Sequence, residues 1–141
     1  MGLEIAGSRV MAPVFGTSIF VWGSLITTFL ASLAAGYALG GHLADRRPRA
    51  SLLGGILVGA GLLVWLLLAR PAPLLAFCAS APFPDRFQAL FAALLLFALP
   101  SVLMGAVSPF ATRLAAREVG SIGRTAGSLA ALSTAGSIVG T

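Results

Sequence analysis

Ionisable side chains are few in this 141-residue chain, and each one that interrupts an apolar stretch is a candidate for chemistry. The acids are Glu4, Asp45, Asp85 and Glu118, the bases are nine arginines with no lysine, and His42 and Cys78 stand alone in their types. Glu4 and Arg9 lie in the apolar opening stretch, where a charged group is costly and marks a functional site with a partner. Five residues apart on a helix they point about 140° from one another, so they are poor mutual partners. Glu4 embedded in a bundle could take a cationic ligand or a proton. The competing reading is a structural pair with an arginine on another helix. The second cluster is Gly41-His-Leu-Ala-Asp45-Arg46-Arg47-Pro48-Arg49, in which an acid followed by arginines at a tight turn can cap a helix start and lock it to a neighbour.

The usual catalytic constellations are missing. A zinc hydrolase needs HExxH-like spacing, and one histidine cannot supply it. A serine hydrolase needs a GxSxG elbow or a serine with a lysine or histidine base, and no such elbow occurs. A nucleotide or S-adenosylmethionine site needs a strand, a glycine-rich turn and a helix, whereas these glycines lie inside long apolar runs. A single cysteine permits neither an internal disulfide nor a CxxC motif, and Cys78 reads as a small apolar filler. The sequence therefore assigns no catalytic, cofactor or metal residue to this chain.

The elements that would hold Glu4, Arg9 and Asp45 are membrane helices. Hydrophobic residues make up 58% of the chain and charged residues 9%, against about 25% charged in soluble domains. Uncharged runs cover Val10 to Ala44, Ala50 to Ala69, Phe87 to Thr112 and everything after Arg124, and a span takes about 20 residues. The expected fold is an all-α, polytopic transmembrane helix bundle forming a single domain over 1–141, with four to five spans: 1–12 (partial), 18–41, 52–68, 87–107 and 125–141 (partial). Pro13, Gly16 and Thr17 are expected to break the first helix, and Pro100 to kink the fourth span, with Ser101 helping to compensate the lost hydrogen bond. Both ends of the chain read as incomplete. No cleavable signal is expected, because the chain opens MGLEIAGSR with an acid at Glu4.

Three connectors separate the spans. Gly41 to Ser51 is a tight basic turn, 70–86 is a proline-rich interfacial loop with room for a short helix, and 108–124 reads as a surface helix and turn. Arginines number three in 42–49, three in 108–124 and two in 70–86, so the positive-inside rule puts 42–50 and 108–124 in the cytoplasm. The arginines sit at the ends of apolar runs as topology signals, which argues against nucleic acid as a partner and for the lipid bilayer. Small residues four apart recur at Gly36/Gly40, Gly55/Gly59, Ser101/Gly105 and Gly136/Gly140, a spacing that lets helix backbones approach in lipid.

With these residues in view, the loop around Asp45, Arg46 and Arg49 resembles the cytoplasmic loop motif of major facilitator transporters, with Pro48 where they usually have glycine. The chain as a whole resembles the N-terminal membrane domain of the spermidine synthase-like proteins described as fused major facilitator and spermidine synthase. The matching stretches are EIAGSRVMAPVFGTSIFVWG (Glu4 to Gly23), GYALGGHLADRRPR (Gly36 to Arg49), MGAVSPFATRLAA (Met104 to Ala116) and GRTAGSLAALSTAGSIVGT (Gly123 to Thr141). The resemblance implies MFS-like helices that precede a soluble aminopropyltransferase domain, which moves an aminopropyl group from decarboxylated S-adenosylmethionine to a polyamine. It also implies a first helix beginning before Glu4 and a fifth continuing past Thr141. None of that family's catalytic residues has a counterpart here.

The expected function is thus a domain of the cytoplasmic (inner) membrane of a bacterium, anchoring or serving a C-terminal aminopropyltransferase domain, with polyamines as further partners. The alternative is a fragment of a major facilitator-type transporter for a small solute. The candidate structural or ligand residues are Glu4, Arg9, Asp45, Arg46 and Arg49.

Overall fold

A computed structural model describes residues 2–115 and 122–139. The described residues form helices with no strand: α1 (Gly2–Phe15), α2 (Ile19–Arg46), α3 (Ala50–Ala69), α4 (Pro71–Ala79), α5 (Asp85–Ala93), a π turn (Leu94–Ala98), α6 (Leu99–Ala115) and α7 (Ile122–Val139). α5, the π turn and α6 run on as one rod. Among the described residues three helices are long and apolar enough to cross a membrane: Ile19–Arg46, Ala50–Ala69 and Asp85–Ala115. α1, at 14 residues, reaches about 21 Å, short of a hydrocarbon core of about 30 Å.

The breaks between helices follow local chemistry, and two differ from expectation. α1 runs through Pro13 to Phe15. The missing proline N–H costs one bond to the Arg9 carbonyl, while fully buried Met11 and core-packed Phe15 hold the last turn against its neighbours. Gly16 ends the helix instead, with φ 73° and its N–H donating to the Ala12 carbonyl at 2.9 Å. Ser18 then caps α2, its hydroxyl accepting from the Val21 N–H. α2 is 28 residues long and extends past Gly41 to Arg46. Nothing stops it sooner, since Pro48 disfavours helical backbone only at Arg47. The basic connector therefore shrinks to Arg47–Arg49, and Asp45 and Arg46 belong to the last turn of α2.

The helix directions follow from which residues meet. Phe29 packs on Phe97 with ring centroids 5.6 Å apart, Gly36 faces Val102 and Gly105, Gly40 faces Ala106, and Asp45 reaches Arg113. Both numbers rise together, so α2 and the α5–α6 rod are parallel, and α3 packs on α6. α1 runs opposite to α2, because Gly7 meets Leu25 while Leu3 and Glu4 share a cavity with Phe29 and Leu33.

α2 and α6 form the most extensive helix pair. A Cβ on Gly36 would land on the Val102 carbonyl oxygen, and one on Gly40 would stand 2.5 Å from the Ala106 Cα. Gly105 returns the contact: a Cβ there would stand 2.9 Å from the Leu33 carbonyl oxygen. Of the four small-residue pairs read from the sequence, Gly36/Gly40 and Ser101/Gly105 build this interface. Gly55 and Gly136 face open space, and a Cβ on Gly59 would meet only the Leu103 side chain, at 3.9 Å. Gly140 lies outside the described residues.

A separate apolar core fills the end opposite the arginine connector. Met11, Val21, Leu25, Phe29, Leu75, Cys78, Ala89, Leu96 and Phe97 are its main members. The proline-rich stretch thus carries a packed helix, α4, which contributes Leu75 and Cys78, rather than only an interfacial loop. Gln88 Nε2 donates to the Ala81 and Phe83 carbonyls, both at 3.0 Å, and ties the 80–84 loop to α5. α3 is apolar on all sides and buries only Ala60, as expected of a helix facing lipid. Large exposed side chains such as Ile19, Leu39, Val58 and Trp65 suit the same solvent.

Candidate functional site

The middle of the rod Asp85–Ala115 is Pro100, and the sequence makes that point polar. Pro100 has no N–H to offer the Leu96 carbonyl, and the π turn Leu94–Ala98 immediately precedes it. Extra-wide turns of this kind occur where a helix is interrupted for function. Ser101 follows, 2% exposed, with a hydroxyl that has no hydrogen-bond partner. Across the interface Thr28, 1% exposed, is in the same condition. Exposed helix hydroxyls here behave differently: Ser8, Ser80, Thr112 and Thr134 each donate to a carbonyl three or four residues back. Leaving a buried hydroxyl unpaired costs about 1–3 kcal/mol.

Ser101 lines a cavity of about 210 Å³ together with Glu4. Its other walls are Leu3, Phe29, Leu30, Leu33 and Met104. The level is set by α2, which runs from Ile19 to Arg46 and has Leu33 near its centre. Glu4 therefore meets the long helices halfway along their length, the level at which helical membrane proteins place polar sites. A larger cavity of about 490 Å³ lies between α2, α6 and α7 and is walled mainly by Leu33, Met104, Val107 and Leu132.

The other residues picked out by the sequence fall elsewhere. Arg9 is exposed and borders a small cavity of about 110 Å³ with Ser8, Ala12, Gly16, Thr17 and Trp22, away from the Glu4 cavity. Asp45 does not cap α3, whose N-cap is Arg49 without a side-chain bond. Instead the Asp45 carboxylate accepts from Arg113 Nε of α6 at 3.3 Å, with both side chains more than half exposed. Arg46 and Arg49 are exposed at the same end, as is His42. Arg117 and Glu118, in the expected surface helix and turn, lie outside the described residues. Among the described residues no three His, Cys, Asp or Glu side chains gather as a metal ligand set.

In comparisons with known proteins the chain matches no family model, no curated protein and no solved structure. The functional reading therefore rests on the residues themselves. Thr28 was not singled out in the sequence, where it is one hydroxyl among many in apolar helices. Ser101 was visible only as a neighbour of Pro100 and a partner of Gly105. The signal that separates them is burial without a backbone acceptor, which requires the fold.

Proposed function

We propose that this chain is the membrane domain of a spermidine synthase-like protein of a bacterial inner membrane, holding an aminopropyltransferase domain at the cytoplasmic face. The observation that carries the reading is where the resembling stretches lie. Within the stretches Gly36 to Arg49 and Met104 to Ala116, residues Gly36–Arg46 and Met104–Ala115 are the facing halves of α2 and α6, close-packed through Gly36, Gly40 and Gly105 and joined at their ends by Asp45 and Arg113. A parallel pair held at backbone contact is a stiff support. It ends at the arginine-rich face, which the positive-inside rule assigns to the cytoplasm. A soluble domain carried there would be fixed at one height above the bilayer.

The second reading, a facilitator-type transporter fragment moving a small solute, is favoured by the mid-depth cavity at Glu4. One experiment separates the two. Membranes from cells expressing the complete reading frame, or the 141-residue chain, are assayed for aminopropyl transfer to putrescine and for putrescine uptake. Transfer by the full reading frame alone supports the anchoring role. Uptake by the 141-residue chain overturns it in favour of transport.

A further inference from the structure

We propose that the cavity where four helix ends meet holds the phosphoethanolamine headgroup of a membrane lipid, its ammonium at Asp85 and Gln88 and its phosphate at Arg86. This goes beyond the anchoring role and does not depend on it. The cavity, of about 330 Å³, lies between the last turns of α1 and α4 and the first turns of α2 and α5, at the end opposite the arginine connector. α2 has 28 residues and the rod Asp85–Ala115 has 31, which makes them about 42 and 46 Å long. Both overshoot a hydrocarbon core of about 30 Å, so their first turns stand at the level of the lipid headgroups.

The lining carries both signs of charge. Asp85 and Arg86 border the cavity and are exposed. Among the described residues neither makes an ion pair, with the other or with a third group. Arg86 lies against the Phe87 ring, 5.2 Å from the centroid, and a contact made to the ring face leaves its N–H donors to be spent. Gln88 also borders the cavity and is committed on one side. Its Nε2 donates to the Ala81 and Phe83 carbonyls, which fixes the carboxamide and leaves Oε1 as an acceptor. Asp85 and Gln88, three apart, share a face of α5, while Arg86 sits about 100° round from Asp85. Two acceptors thus stand together with a cation to one side.

That arrangement selects a zwitterion. A simple anion would meet Asp85 and a simple cation would meet Arg86, whereas a ligand with both charges satisfies both. A metal ion needs a shell of several oxygen ligands, more than one carboxylate and one amide supply. An ammonium has N–H donors for the Asp85 carboxylate and for Gln88 Oε1, and the planar fork of an arginine matches a phosphate. The ethylene link of phosphoethanolamine holds its two charges apart, where an α-amino acid carries both on one carbon. About 330 Å³ takes on the order of eleven water-sized groups at about 30 Å³ each, room for the headgroup. Val14 and Phe20 in the same lining are exposed and apolar, a surface for the glycerol and upper acyl chains.

The test is native mass spectrometry of the full chain in detergent, titrated at neutral pH with dioleoyl phosphatidylethanolamine, phosphatidylcholine or phosphatidylglycerol. Wild type is expected to bind the ethanolamine lipid about fivefold or more tightly than the choline lipid, whose ammonium has no N–H, and than the glycerol lipid, which has no ammonium. Asp85→Asn and Arg86→Gln should each remove that preference with melting temperature retained, since both side chains are exposed. Ala79→Phe, which fills the cavity and leaves both charges in place, should remove it too. Arg70 is exposed outside the cavity, and Arg70→Gln should leave the preference unchanged. Equal uptake of the three lipids by wild type, or an unaltered preference in Asp85→Asn and Arg86→Gln, would overturn the site. Displacement of the lipid by glycerophosphoethanolamine at equal concentration would give the site to a soluble zwitterion and overturn the lipid as its source.

Discussion

Gly40 of α2 lies so close to Ala106 of α6 that a Cβ on the glycine would stand 2.5 Å from the Ala106 Cα and 2.7 Å from its Cβ. Real side chains do not approach so closely, and the opposing atoms are backbone, which cannot swing away. The pair of helices is therefore set by the absence of a side chain. Gly40→Leu should separate α2 from α6 and cost about 1–3 kcal/mol or more by overpacking. Gly55→Leu, on open helix surface, should stay within about 0.5 kcal/mol of wild type. Thermal unfolding in detergent reads both, and equal melting temperatures for the two variants would refute the close-packed interface.

Asp45 and Arg113 join the same helices at their ends, 3.3 Å apart, but with side-chain exposures of 73% and 55%. Water and interfacial polar groups screen such a pair, whose worth is about 0–1 kcal/mol. A double-mutant cycle over Asp45→Ala, Arg113→Ala and the double variant should give a small favourable coupling that shrinks with added salt. A coupling of several kcal/mol would show that this end of the bundle is far drier than its exposure indicates. A coupling of zero would remove the pair as a clasp.

The helical, membrane-spanning character was legible because it depends on uninterrupted apolar length, which Ala50–Ala69 displays in full. Among the described residues three helices have the length and composition of a span, while α1 and α7, apolar in composition, are described over 14 and 18 residues. The Asp45 turn shows a limit. Its residues announced a tight corner, yet whether Asp45 reached forward to cap α3 or sideways to α6 depends on where α2 stops, and that is set by Pro48. Gly36/Gly40 and Gly55/Gly59 look alike in sequence, and only the position of α6 distinguishes the packed pair from the open one. The cavity was half-visible. Glu4 stood out by charge, while Ser101 became informative only once its burial and lack of an acceptor were seen.

The arginine distribution gives a sidedness that the helix directions share. The parallel run of α2 and the α5–α6 rod puts Arg47–Arg49 and Arg113 at one end, with α4 and the 80–84 loop at the other. In a Cys78→Ala background, Arg49→Cys should react with a membrane-impermeant maleimide only from the cytoplasmic side, and Ser80→Cys only from the opposite side. Labelling of both from one side would contradict the parallel arrangement. Labelling of each from the wrong side would invert the orientation and leave the fold intact.

Cys78 is fully buried in the core that α4 completes, and burial pushes its thiol above the ordinary value. The thiolate is the reactive form, so a raised value lowers its fraction at any given pH below it. Alkylation of the folded protein near pH 7.5 should be much slower than that of the denatured chain, and should accelerate only at more alkaline pH than for an exposed cysteine. Rapid stoichiometric labelling at pH 7.5 under native conditions would place α4 off the bundle rather than packed on it.

Thr28 offers the sharpest check on the mid-depth polar group, because it separates packing from hydrogen bonding. Its hydroxyl is buried and unpartnered, whereas Thr112 and Thr134 on exposed faces bond to their own helices at 2.9 Å. Valine has nearly the same shape without the polar atom. A threonine whose hydroxyl bonded across the interface would lose about 1 kcal/mol on replacement by valine, while an unpaired buried hydroxyl pays a desolvation cost of about 1–3 kcal/mol that valine removes. Thr28→Val should therefore raise the melting temperature in detergent, and Thr134→Val should leave it nearly unchanged. A fall for Thr28→Val would mean that the hydroxyl has a partner in the membrane-embedded protein. In that event the mid-depth group would be a satisfied structural network, and Thr28 would be part of what holds α2 in place.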